Sequence, residues 1–158
     1  MPIKNYTTSV DEHKTVAEIQ MILARKGALN VQIQYDNARP QAVAFALRLG
    51  ENIVPIRLPC NPDGVFRSML RQFNKNTSNG RTARSRFERN PESKLQARRV
   101  AWRIVKDWVD AQMAIVEAEQ AQFAEVFLPY VVSQDGVTMF QHFLEQNTRA
   151  LPAAEDRR

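Results

Sequence analysis

An α+β fold, in which helices pack a three-stranded antiparallel sheet and a helical C-terminal half follows, is predicted by three features of the sequence. The first 73 residues read as α-β-β-β-α, each element bounded by turn-forming residues. A long apolar stripe at helical spacing then runs from Pro91 toward Phe127. Finally, 158 residues of which 44% are hydrophobic suffice to bury one core.

In "SVDEHKTVAEIQMILARKG", Val16, Ile19, Ile22 and Leu23 recur at helical spacing and form one apolar face. Ser9 with Glu12, or Thr15 with Glu18, offers a capping box at its start. Arg25 and Lys26 suit the negative end of the helix dipole, and Gly27 suits a left-handed stop.

Three strands follow. "NVQIQYDN" alternates Val31, Ile33 and Tyr35 with polar residues, the period of a half-buried strand. "QAVAFALRLG" places Val43, Phe45, Leu47 and Leu49 on one face, and "ENIVPIRLP" places Val54, Ile56 and Leu58 there. Pro55 cannot donate to a ladder, so the third strand is expected at an edge or bulged. Short connections predict a meander.

"NPDGVFRSMLRQF" starts a second helix with Val65, Phe66, Met69, Leu70 and Phe73 as its apolar set. The order helix, three strands, helix is shared with double-stranded-RNA-binding domains. The lysine-rich start of their last helix is missing here, so the likeness is one of topology.

The long helix carries Leu95, Trp102, Val105, Val109, Met113 and Val116 in its stripe, with Arg99, Arg103, Lys106 and Asp110 expected on the wet face. The stripe assigns Trp102 and Trp108 to the core rather than to base stacking. Pro129 forces a break or kink, and "VTMFQHFLEQN" reads as a short final helix with Phe140, Phe143 and Leu144. One domain spans 1–147, divided into 1–73, a flexible basic loop at 74–93, and a helical part at 94–147, with a disordered tail at 148–158.

Charge is the informative quantity. Between Arg67 and Lys106 stand twelve basic residues and only Glu88 and Glu92, a net +10 in a chain of net +5. Such polarity gives the molecule a preferred face toward polyanions. The centre of the segment, "NKNTSNGRTARSRFERN", has no apolar period, and its arginine forks match phosphate oxygens bidentately. Phe87, alone among arginines, either stacks on a base or docks the loop on the body.

The expected nucleic-acid contacts are Lys75, Arg81, Arg84, Arg86, Phe87, Arg89, Lys94, Arg98, Arg99 and Arg103. The expected ligand is nucleic acid, DNA before RNA, held by its backbone without sequence reading. The alternative is a protein-binding inhibitor or adaptor, for example an anti-defence protein, docking its basic patch on an acidic surface of a host protein. Self-association is open on this reading.

No enzyme is expected. His13 and His142 lack a positioned partner, and two histidines with one cysteine make no zinc framework. Five glycines leave no phosphate-cradling loop, so neither metal nor cofactor is expected. A lone Cys60, no apolar run near the ~20 residues of a membrane span, and no secretory core in "MPIKNYTTSVDEHKT" predict a cytoplasmic protein away from membranes.

The stretches "PIKNYTTSVDEHKTVAEIQMILARKGA" and "RVAWRIVKDWVDAQMAIVEAEQAQFAEVFLPYVV" resemble small proteins encoded in bacterial prophages and integrative elements. They cover less than half the chain. The resemblance implies a mobile-element setting inside a bacterial cell and carries no functional residues with it.

Overall fold

The computed structural model describes residues 2–76 and 80–150. The elements are α1 (Glu12–Arg25), β1 (Leu29–Asp36), β2 (Arg39–Leu49), β3 (Asn52–Pro59), α2 (Pro62–Asn76), α3 (Gly80–Arg89), α4 (Pro91–Glu117), α5 (Phe123–Phe127), a 3-10 turn at Leu128–Tyr130, and α6 (Met139–Ala150). The fold is the α+β class read from the sequence. Its sheet is an antiparallel meander in the order β1-β2-β3.

Asn37 and Ala38, both at positive φ (47° and 60°), close the β1–β2 hairpin. A two-residue turn of this hand matches the twist of the paired strands. The register sets Val43 opposite Ile33 and Leu58, and Phe45 opposite Ile56, so one face of the sheet is apolar throughout. Pro55 is tolerated because β3 is an edge strand, and its carbonyl accepts the Val132 N–H at 2.9 Å.

The apolar face meets Val16, Ile19 and Leu23 of α1, Trp102, Val109 and Met113 of α4, and Phe127. Trp102 is wholly buried, and Trp108 is held edge-on by Phe127 (5.6 Å) and Tyr130 (5.5 Å), so both tryptophans are core residues. α2 contributes nothing to this cluster and packs on α4 instead. The likeness to double-stranded-RNA-binding domains therefore ends at element order.

Three expectations need correction. α1 is capped by neither Ser9 nor Thr15 but by Asp11, whose carboxylate accepts the His13 N–H at 2.8 Å. Glu12, the partner Ser9 would need, is turned inward to two arginines. The segment 74–93, expected as a loop, is largely helical: α2 continues to Asn76, and Gly80–Arg89 forms α3. Asn90 then caps α4, accepting the Glu92 N–H at 3.0 Å, with Pro91 in the first turn.

A ten-residue helix is marginal alone. Among the described residues, the ring contacts that dock α3 are those of Phe87, stacked on Phe66 (5.6 Å) and Phe73 (5.0 Å), and one apolar residue leaves no period to read. Last, α6 runs through the first residues of the expected tail to Ala150, and residues 151–158 lie outside the described part. Among the described residues, no helix is long and apolar enough to cross a membrane.

Candidate nucleic-acid interface

The ten residues expected to contact nucleic acid fall into two environments. Those on α4 are largely consumed by the chain's own carboxylates. The Arg98 side chain is 17% exposed; its Nε donates to Glu12 Oε2 at 2.6 Å and its Nη2 to the Pro40 carbonyl at 2.7 Å. Glu12, 1% exposed, also accepts from Arg39 Nη1 at 2.9 Å. Arg103 Nη1 donates to Glu18 at 2.7 Å, Arg99 Nη1 to Glu92 at 2.9 Å, and Lys106 pairs with Asp110.

This corrects the expectation of a wet α4 face carrying Arg99, Arg103, Lys106 and Asp110, with Arg98, Arg99 and Arg103 free for phosphates. α1 lies along α4, so charges between the two helices lose water and need partners. A signal for this was present. Glu12 stands at i−4 from Val16 and i−7 from Ile19, on the apolar stripe of α1, where a carboxylate requires a cation.

The second environment is the outer surface of α2 and α3, with Lys94 in the first turn of α4 beside it. Arg86, Lys75 and Lys94 are exposed and, among the described residues, have no carboxylate partner. Arg84 pairs with Glu88 at 3.0 Å, one turn away, an exposed contact that a phosphate can replace. Arg89 folds back on Ser85, its Nε donating to the Ser85 carbonyl at 3.2 Å. The side chain of Arg81 lies outside the described residues. Phe87 is the docking residue of the two alternatives, since both neighbouring rings belong to α2.

Sequence reasoning counted the charges of Arg67 and Arg71 without placing them in the site. Both are exposed on α2, and with Lys75 they form a row at four-residue spacing, opposite the buried Met69. Each step rises ~6 Å, so the row is ~12 Å long. Lys94 shares a cleft of about 200 Å³ with Pro62, Asp63 and Phe66, which sets it beside the first turn of α2. Residues 62–90 hold seven basic and two acidic residues, +5, and the rest of the chain is neutral. All of the molecule's excess charge thus belongs to this segment.

Other reactive groups are occupied structurally. Burial pushes the Cys60 thiol up to about 12, against the pull of Arg98 and with a smaller push from Glu12. A thiol so protonated is no nucleophile near neutral pH. Ser133, Asp135 and His142 gather in one turn, with the Ser133 hydroxyl 2.9 Å and the Asp135 carboxylate 3.2 Å from the same nitrogen, His142 Nε2.

A nucleophile–base pair needs its orienting carboxylate on the other ring nitrogen. The cluster instead braces a turn: Ser133 donates to the Val137 carbonyl at 2.7 Å and also bonds Asp135. The hydrogen bond from Ser133, joined by the Val137 N–H and His142, holds the Asp135 carboxyl below its ordinary range despite slight desolvation. Among the described residues, no three His, Cys, Asp or Glu side chains are placed to hold a metal ion. Compared with known proteins, the chain matches no family model, no curated protein and no solved structure.

Proposed function

We propose that this chain is a non-enzymatic nucleic-acid-binding protein that grips a phosphate backbone with the outer surface of α2 and α3. The observation that supports this reading is the division of charge. On α4, Arg98, Arg103, Arg99 and Lys106 are spent on Glu12, Glu18, Glu92 and Asp110, whereas Arg67, Arg71, Lys75 and Arg86, with Lys94 in the first turn of α4, have no carboxylate partner among the described residues. Cations in a row on a rigid helix suit a linear polyanion, because positioning them costs little entropy on binding. The reading assigns no base contacts, and DNA comes before RNA only through the mobile-element resemblance.

Fluorescence anisotropy with a random-sequence 20-mer, single- and double-stranded, at ~50 mM salt tests this. Wild-type chain should bind both, and Arg67→Ala/Arg71→Ala/Lys75→Ala/Arg86→Ala should bind at least ~100-fold more weakly, since each phosphate contact carries a share of the affinity. Absence of binding at low salt would sink the reading.

A further inference from the structure

The face of the sheet turned away from α1 and α4 holds a groove of about 390 Å³. Its floor is Ala44 and Ala46 of the central strand, residues small enough to leave the space open. Ala44 lies between Gln32 of β1 and Arg57 of β3, so one wall carries amides and the other a guanidinium. Val132 and Gly136 complete the rim from a hairpin that the Val132 N–H ties to the Pro55 carbonyl and Ser133 braces.

The amide wall is a row of three carboxamide residues, Asn30, Gln32 and Gln34. One extra residue between Leu29 and Gln32 makes a β-bulge, and Asn30 within it sits at φ 50°, a costly conformation for a residue other than glycine. Bulges re-aim side chains, and this one brings Asn30 to the groove. All three, with Arg57, are exposed, and their side chains have no hydrogen-bond or ionic partner among the described residues.

We propose that this groove binds an extended peptide segment of ~four residues carrying one carboxylate, and length, chemistry and charge each support that occupant. On a sheet face the backbone groups are already paired within the sheet, so side chains must do the gripping. Carboxamides both donate and accept, which matches the neutral N–H and C=O of a peptide. Gln32 and Gln34 repeat at ~6.7 Å, the spacing at which an extended chain turns successive peptide groups to one side. From Asn30 to Gln34 the row runs ~13 Å, the length of about four extended residues.

Arg57 is the one cation among the described residues that line the groove, and its fork suits a single carboxylate. A nucleic-acid strand brings a charge with every nucleotide and would find one partner for several phosphates. The alanine floor lets a peptide backbone approach closely, and the volume lies within the ~300–1,000 Å³ of ligand sites. The inference stands apart from the phosphate grip, since no residue of the basic row lines this groove.

An NMR amide-shift titration of the full chain with acetyl-Ala-Ala-Glu-Ala-amide, taken to ~5 mM, tests it. The Ala44 and Ala46 amides and the Gln32 and Gln34 side-chain amides should move, with Kd of ~1 mM. The same peptide with Gln for Glu should bind at least ~3-fold more weakly, and Arg57→Gln should abolish that difference. Ala44→Val raises the floor and should weaken binding at least ~10-fold while keeping Tm, since valine suits an exposed strand position.

The fourfold variant of α2 and α3 should bind the peptide as wild type does, so failure of either site is read separately. Groove amides that stay still to ~5 mM overturn the inference, as does a preference for Glu that survives in Arg57→Gln. A single-stranded oligonucleotide that moves the Ala44 and Ala46 amides where the peptide does not overturns it as well.

Discussion

Replacing Glu12 by Gln should destabilise the protein more than any other single change to its charged residues. The carboxylate is 1% exposed and serves two guanidinium groups, Arg98 at 2.6 Å and Arg39 at 2.9 Å. Arg39 is about half exposed and recovers water when released, so its loss costs little. Arg98, at 17% exposure, keeps its bond to the Pro40 carbonyl but is left charged without a counter-ion. Stranding one member of a buried pair costs ~3–5 kcal/mol, and the remaining exposure of Arg98 points to ~3.

For a domain of this size that is a fall in Tm of ~6–12 °C, read by circular dichroism. The double variant Glu12→Gln/Arg98→Met should recover ~2 kcal/mol relative to the sum of the single changes, as expected of coupled partners. A Tm shift below ~2 °C for Glu12→Gln would refute the claim that α4's arginines are structural.

Two further outcomes follow from the same geometry. Phe87→Ala removes two ring contacts worth ~0.5–1.5 kcal/mol each, so α3 amides should lose hydrogen-exchange protection while those of α1 keep theirs; unchanged protection would mean that α3 is held by something else. For Cys60 the fold favours the neutral thiol, with the unfolded thiol titrating near its ordinary 9.0 and the folded one near 12. Above pH ~9 the unfolded chain therefore binds fewer protons, and stability falls as pH rises toward 12. The variant Cys60→Ser should lose that component of the decline, and an identical alkaline profile in both chains would contradict the buried thiol.

Which parts of this molecule were legible in its sequence depends on whether a pattern repeated. The strands alternate and α1 and α4 carry long stripes, so sheet order, core and the two tryptophans could be read from spacing. α3 could not, because among its described residues the ring contacts with another helix come from Phe87, which meets two rings of α2. The charge excess between Arg67 and Lys106 was visible as a number, but its division was not. Arg98, Arg103 and Lys106 look alike in sequence; only the packing of α1 on α4 brings Glu12 and Glu18 to the first two. Arg67 and Arg71 were overlooked for the opposite reason, since their four-residue spacing lay in a helix first read for its apolar side.

The most direct test of the divided charge is the slope of log K against log salt for duplex binding, measured on three chains. With ~four phosphates held at once, wild type should fall with a slope near −3.6. Lys106→Ala, which removes a cation already paired with Asp110, should keep that slope, and Arg67→Ala/Arg71→Ala/Lys75→Ala/Arg86→Ala should bring it close to zero. A wild-type slope that survives in the fourfold variant would place the grip elsewhere and contradict the account.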